Sequence, residues 1–434
     1  MENQQNLILI DWFTGTSSFD SVNDFIELLG LSDPGIAWEY QMVQQVLPIL
    51  TVDMLNQIAQ TLVTDNNLII SFQAPEDEAI ILPTETEAIH ILNEVKNLSI
   101  EAPVEEAIRE NLVWKTPRAG KIRKTTHNKD LGTTEWILSN GVRVILKPTT
   151  FKQDEILFSA FSLGGLSLVA TEDLISAKLA TDVVSVSGLA DMSATDLQKV
   201  LTGKNISLSP SINSNTESLG GQSTIKDFEN LLQLSYLYFT APRHDEEAYQ
   251  MLLSILDSQL ANRDKNPKAA FSDSINMIAS NHSPRTIIFN KEALNQANLN
   301  TALAIYKERF GNPADFVFTF VGNIDPANET FQKLICTWIG GLKTTKKREN
   351  IRDNGVRVPK GTIQNYFTRN METKTASNRI QYTSYDIPYT LDNDLNMEMI
   401  GRILSTRYLE SIREREGGSY GVGCGGGLNI LPVP

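Results

Sequence analysis

Histidine and cysteine are scarce in this sequence. Only four histidines and two cysteines occur among its 434 residues. The histidines lie far apart along the chain, at His90, His127, His244 and His282. Two isolated cysteines, Cys336 and Cys424, support neither a disulfide framework nor a metal site. We therefore predict no metal site built from these histidines and cysteines. We also predict no catalytic residue in this chain.

An excess of basic charge and a long apolar run are also missing. Acidic residues outnumber basic ones by 52 to 38, giving a net charge of −14, which argues against a nucleic acid as partner because phosphates require a basic surface. No apolar run approaches the roughly 18 residues that span a bilayer, so no membrane partner is predicted. Met1 to Gln5 carry no positive charge before the apolar Leu7–Ile10, so this start is not expected to be a signal peptide.

The remaining composition, 41% hydrophobic and 21% charged, is that of a soluble globular protein. The length predicts about two to four domains. The low cysteine content is compatible with both cytoplasm and periplasm, so the compartment stays open, with the periplasm preferred.

Two stretches of the chain share one order of elements. Leu50–Asp77 and Leu299–Asp325 both predict a capped helix, a short turn, an apolar strand and an acidic loop. They are too far apart for a solenoid repeat. We therefore predict two related domains, the first of which lacks its beginning.

Composition suggests the domain limits. Residues 103–134 contain Pro117, Gly120 and a basic cluster, which predict an exposed linker, with a phosphate- or lipid-binding patch as the alternative. A domain over 135–342 begins with a hairpin at an Asn140-Gly141 turn. Strands and helices follow in blocks, which is typical of the α+β class. The last unit, 343–434, begins at a second basic loop and contains a predicted helix capped by Asp392.

Arg413 and Tyr420 form the most informative motif. They lie seven residues apart, between an amphipathic helix and a glycine-rich segment, with Gly417 and Gly418 between them. Arginine offers a rigid fork of donors for carbonyl or carboxylate oxygens, and tyrosine adds a hydroxyl on a flat apolar ring. The pair could therefore bind a peptide backbone. The alternative is a helix-end arginine paired with a neighbouring glutamate, and a tyrosine in the core.

Other polar groups favour ordinary structural roles. His244 precedes three acidic residues, which together predict a capped surface helix rather than a metal site. His90 and Glu94 lie one helical turn apart without a third ligand. Gly425–Gly427 lacks the lysine and the following helix of a phosphate loop.

Several stretches, in this order, resemble the pitrilysin/insulinase family of zinc peptidases, especially its bacterial single-chain members with two halves. They are Gly35–Tyr40, Leu138–Val142, Gly164–Val169, Leu234–Arg243, Val321–Asp325 and the run from Arg413 to Tyr420. Each is weak alone, but together they span nearly the whole chain.

The resemblance implies four similar α+β domains in two half-shells around a chamber. In the family, the first domain holds zinc through His-x-x-Glu-His and a distal Glu. This chain contains no such motif. On this basis 1–102 is the C-terminal part of the second domain, 103–134 the linker, 135–342 a degenerate third domain, and 343–434 a partial fourth domain. The first and last domains are then incomplete, and zinc belongs to the full-length enzyme.

The resemblance also places individual residues. Leu179 and Val183 align with the zinc-binding histidines, and Asp182 aligns with the glutamate. Arg413 and Tyr420 align with the positions that hold the substrate backbone, and Tyr420 would also help to stabilise the tetrahedral intermediate.

We therefore expect this chain to be the substrate-binding C-terminal portion of a zinc-dependent metalloendopeptidase, inactive alone. Its expected partners are a peptide substrate, commonly docked in this family as an added strand at a sheet edge, and the missing N-terminal catalytic half. The alternative is a non-catalytic peptide-binding or scaffold subunit of a two-chain complex. A more distant alternative is catalysis by Cys336 or Cys424.

Overall fold

The computed structural model describes residues 35–62, 68–74, 80–99, 111–263, 266–345, 347–371 and 373–429. The chain divides into two compact units, Met1–Pro103 and Val104–Pro434. The predicted helix over Phe19–Leu29 lies outside the described residues.

The described residues of the first unit include three α-helices, α1 (Gly35–Val46), α2 (Val52–Leu62) and α3 (Glu85–Asn97). The helices predicted before Pro48 and after Thr51 are confirmed as α1 and α2. Thr84 begins α3 with a capping box, in which its hydroxyl accepts from the Glu87 amide and the Glu87 carboxylate accepts from the Thr84 amide. The strand predicted over Asn67–Phe72 was wrong for the described residues 68–72, which form no strand. None of the described residues of this unit is buried.

The second unit is built on a seven-stranded open sheet, which confirms the α+β class. The strands are β1 (Ile122–Asn128), β2 (Thr133–Leu138), β3 (Arg143–Pro148), β4 (Ile156–Leu163), β5 (Ile206–Ile212), β6 (Thr216–Ser223) and β7 (Val317–Gly322). Their order is β1-β2-β3-β7-β4-β6-β5. All pairs are antiparallel except β3–β7, which is parallel.

The predicted hairpin is confirmed by β2 and β3. Trp136 pairs with Val144, and both side chains are buried. Gly141 takes a positive φ of 86° at the turn, which glycine adopts without a steric penalty. The amide of the Asn140 side chain donates to the carbonyl oxygens of Ile339 and Leu342 at 2.9 and 3.1 Å. The turn is therefore attached to the end of a helix almost two hundred residues later.

The segment predicted as a linker contributes β1. All but the first of the residues Ile122–Asn128 are exposed, and the strand pairs with β2 on one side only. A polar edge strand has no apolar alternation, so its composition resembles that of a loop. The sheet therefore begins inside the segment 103–134, while the predicted domain limits themselves stay a prediction.

Helices cover the sheet and form the core. They are α4 (Leu174–Ser187), α5 (Ala194–Leu201), α6 (Phe228–Thr240), α7 (Glu246–Arg263), α8 (Pro267–Ala279), α9 (Lys291–Leu294), α10 (Leu299–Arg309) and α11 (Glu329–Trp338). The sequence predicts α4 to α7 at about 173–186, 194–201, 226–239 and 245–261, and α10 as the capped helix that begins near Leu299. The structure confirms these helices within a few residues. Phe318 and Phe320 of β7 contact a cluster of rings from β4, α6 and α11. This cluster contributes to a continuous apolar core, in which α4 packs against α10 and α7.

The C-terminal region contains α12 (Leu391–Tyr408) followed by a π-helical turn, Leu409–Arg415. Thr390, rather than the predicted Asp392, caps α12, because its hydroxyl accepts from the Asn393 amide at 3.1 Å. The sequences of Thr362–Met371 and Arg379–Asp386 predict strands. This prediction is wrong, because these described residues form no ladder with a neighbouring strand. Residues 416–429 form no strand either. In the part of the chain that the structure describes, no helix has the length and apolar character needed to cross a bilayer.

Candidate functional site

Arg413 and Tyr420 lie side by side. The π-helical turn that follows α12 ends at Arg415, and Gly417 then takes a positive φ of 59°. The Gly418 amide donates to the carbonyl oxygen of Ile412 at 2.9 Å, which closes the turn. This reversal places the guanidinium carbon of Arg413 4.6 Å from the centre of the Tyr420 ring. That distance is typical of a cation–π contact.

Both side chains remain accessible to a ligand. Tyr420 is 86% exposed and the Arg413 side chain is 40% exposed. Nε of Arg413 lies 3.4 Å from Oε1 of Glu414. Among the described residues, neither terminal nitrogen of Arg413 donates a hydrogen bond to an acceptor. The stacked pair therefore presents a held guanidinium fork and a phenol hydroxyl, which suit carbonyl or carboxylate oxygens.

The alternative role for this pair, in which both residues only stabilise the fold, does not agree with the structure. It required an arginine paired with Glu410 or Glu416 and a tyrosine in the core, whereas Arg413 pairs with Glu414 and Tyr420 is exposed. The sequence thus identified two residues that the structure brings together. Their role in substrate binding stays a prediction.

The residues at the degenerate metal position do not fit zinc. Leu179 is 4% exposed and Val183 is fully buried. Both lie on α4 and contribute to the apolar core. Their aliphatic side chains have no atom that can bind a metal ion. Within the described ranges, no group of three or more histidine, cysteine, aspartate or glutamate side chains could hold one. Any catalytic zinc would therefore need ligands from residues other than these.

The isolated polar residues take structural positions. Asp245 pairs with Arg243, and its Oδ1 accepts from the Ala248 amide at 3.0 Å, so this carboxylate caps α7. That hydrogen bond, more than the ion pair with Arg243, lowers the pKa of Asp245. His90 and Glu94 lie 3.5 Å apart on exposed α3. Burial raises the pKa of Cys336, which disfavours the thiolate that a nucleophile requires.

One buried charged cluster was missed by sequence reasoning. Arg309, at the end of α10, is 3% exposed and forms ion pairs with Glu308 and Glu349 at 2.9 and 2.8 Å. Nearby Glu217, on β6, is 1% exposed and accepts from the Gly165 amide at 2.6 Å. Burial raises the pKa of Glu217 to about 7, against the opposing effects of the Gly165 amide and of Arg309. No local sequence signal marks this cluster, because its members come from distant segments.

Comparisons with known proteins show similarity to one family. A family model described as "Peptidase M16 inactive domain" matches residues 297–430, which include Arg413 and Tyr420. The zinc protease PQQL-like protein of Arabidopsis thaliana is 23% identical over 403 residues, covering 89% of this chain. The probable zinc protease PqqL of Escherichia coli strain K12 is 24% identical over 310 residues, covering 70% of this chain. The chain is therefore similar to zinc proteases of the M16, or pitrilysin/insulinase, family.

The fold agrees with this family. The crystal structure of the periplasmic protease PqqL from Escherichia coli superposes with a TM-score of 0.59 at 19% identity, covering 79% of this chain and 37% of that one. The alignments cover only 38% of the Arabidopsis protein and 32% of the Escherichia coli protein. This chain therefore spans about a third to two fifths of the length of these relatives.

Proposed function

We propose that this chain is the substrate-binding part of a zinc-dependent metalloendopeptidase. The observation that carries the proposal is the contact between Arg413 and the exposed ring of Tyr420, within the region that matches the M16 inactive domain. The guanidinium would donate to backbone carbonyl oxygens of a peptide. The Tyr420 hydroxyl would add a donor near the reacting carbonyl, where negative charge develops in the transition state.

We assign zinc binding and the activation of water to a separate catalytic half. Zinc and the activated water would come from that half, because Leu179 and Val183 supply no ligand. In this proposal 1–102 is the end of the second domain, 103–134 the linker, 135–342 the third domain and 343–434 part of the fourth. A periplasmic location is proposed by analogy with the periplasmic protease PqqL.

The test is EDTA-sensitive hydrolysis of a quenched peptide library, by this chain alone and after mixing with the separately expressed catalytic half. We expect activity only in the mixture. Arg413→Ala and Tyr420→Phe should each lower kcat/KM by about a hundredfold, as the loss of a transition-state donor does elsewhere.

Matched controls are available in the same region. Arg402→Ala removes an arginine of α12 whose side chain is 80% exposed, and Tyr366→Phe alters a tyrosine that is as exposed as Tyr420. Both should keep the activity of the parent mixture. Activity from the chain alone, or equal losses in controls and test variants, would refute the proposal.

A non-catalytic peptide-binding or scaffold subunit is the second candidate. The aliphatic side chains at the degenerate metal position favour it. An assembled mixture that carries zinc but hydrolyses no peptide would support this candidate.

A further inference from the structure

A cavity of about 460 Å³ lies beside the degenerate metal position. Its apolar walls include Leu179 of α4, Leu256 of α7 and Phe289, and its polar lining includes Lys178, Asp182 and Ser214. The volume falls in the range of small-ligand sites, about 300–1,000 Å³. The cavity can therefore hold one large side chain of a ligand.

The carboxylate of Asp182 is the charged group that can select this side chain. Asp182 is exposed overall, but it also lines the cavity. Partial loss of its hydration there raises the pKa of Asp182 above its ordinary value. In the described part of the chain, the carboxylate forms no hydrogen bond and no ion pair. A partly desolvated carboxylate without a counter-charge gains free energy when a cation binds.

Lys178 does not supply the missing counter-charge. It precedes Asp182 by one helical turn, a spacing that permits an ion pair, but it remains exposed at the cavity without forming one. Its long stem allows the ammonium group to stay in water. The net charge of −14 further favours a cationic ligand over an anionic one.

We propose that this cavity binds the side chain of an arginine or lysine in an extended peptide. The aliphatic stem lies against Leu179, Leu256 and Phe289, and the cationic end meets the carboxylate of Asp182. Arg413 and Tyr420 do not line the cavity, so the site is separate from the proposed substrate-binding pair and does not depend on its role.

The test uses two fluorescein-labelled peptides of identical sequence, rich in glycine and serine. One contains a single arginine, and the other contains citrulline, its neutral analogue, at the same position. Fluorescence anisotropy with the whole chain should show that the arginine peptide binds about fivefold more tightly, the upper end of what an exposed ion pair contributes. Equal affinities for the two peptides would overturn the proposal.

Variants locate the binding. Asp182→Asn should reduce the affinity for the arginine peptide to that for the citrulline peptide, whereas Glu172→Gln, at an exposed acid outside the cavity, should leave both affinities unchanged. Ser214→Tyr, at an exposed loop position, should block both peptides by filling the cavity. Unchanged arginine-peptide binding in a folded Asp182→Asn or Ser214→Tyr variant would overturn the proposal.

A double variant separates this site from the proposed substrate-binding pair. Arg413→Ala combined with Tyr420→Ala should retain the discrimination between the arginine and citrulline peptides. Loss of this discrimination in the double variant would assign it to the other site and overturn the cavity proposal. Retained discrimination together with full proteolytic activity of the assembled double variant would instead refute only the proposed function of Arg413 and Tyr420.

Discussion

Replacing Glu217 by glutamine should change how the stability of this chain depends on pH. The side chain is 1% exposed, and burial raises its pKa from 4.5 to about 7. The Arg309 guanidinium counteracts this rise only in part, because Arg309 forms ion pairs with Glu308 and Glu349. The folded protein therefore binds a proton at Glu217 in a pH range where the unfolded chain has released it.

The sign and size follow from this difference. A raised folded-state pKa contributes stability that is fully present below about pH 4.5 and is lost as the pH rises through about 7. The folded-state and unfolded-state pKa values differ by about 2.5 units. Relative to its value at low pH, the free energy of unfolding is therefore lower by about 1 kcal/mol at pH 5 and by about 3 kcal/mol at pH 8. Glutamine stays neutral and can still accept from the Gly165 amide. The free energy of unfolding of the Glu217→Gln variant, relative to that of the wild type, should therefore rise by about 2 kcal/mol between pH 5 and pH 8.

The assay is urea unfolding of both proteins at several pH values, followed by the fluorescence of the buried core, which contains Trp136 and Trp338. Glu247→Gln, at an exposed position, serves as the control and should follow the wild type at every pH. A Glu217→Gln variant whose free energy of unfolding runs parallel to that of the wild type would refute the reasoning. A variant destabilised more at pH 8 than at pH 5 would show that the carboxylate is needed in its charged form.

Three further substitutions test the packing. Phe320→Ala should lower the free energy of unfolding by about 3–5 kcal/mol in urea titrations, since Phe320 is fully buried among aromatic rings. Gly221→Ala should speed amide hydrogen exchange in β5 and β6, because the added methyl group would lie 1.9 Å from the carbonyl oxygen of Ser207; unchanged exchange would contradict this. Asn140→Ala should cost about 1–3 kcal/mol, since it leaves the acceptors of Ile339 and Leu342 without their donor, and a loss below about 0.5 kcal/mol would argue against that attachment.

Local sequence patterns were sufficient to predict many of the helices and strands of the second unit. The hairpin of β2 and β3 was predictable because apolar alternation and an Asn-Gly turn act within a few residues. Helices α4 and α6 were predictable because their apolar residues and end signals lie in one continuous segment. In contrast, β6 was not predicted; it contains Gly220 and Gly221, and its strand character depends on pairing with β4 and β5.

For the candidate site too, some features could be predicted from the sequence and others required the structure. The motif from Arg413 to Tyr420 could be recognised from its residues and their order, and the absence of a metal motif could be read directly from the sequence. The contact between the guanidinium and the ring required the π-helical turn and the positive φ of Gly417. The buried Glu217–Arg309 cluster and the cavity at Asp182 had no signal in the sequence.

The sequence by itself determined the family resemblance, the α+β class, the main helices and the residues of the Arg413–Tyr420 motif, since each depends on composition or on short-range order. Only the tertiary structure decided that β1 extends the sheet, that the described residues 362–371 and 379–386 form no ladder, and that Asp182 lies at a cavity. The physical reason is that strand pairing, desolvation and ion pairing depend on groups brought together from distant parts of the chain.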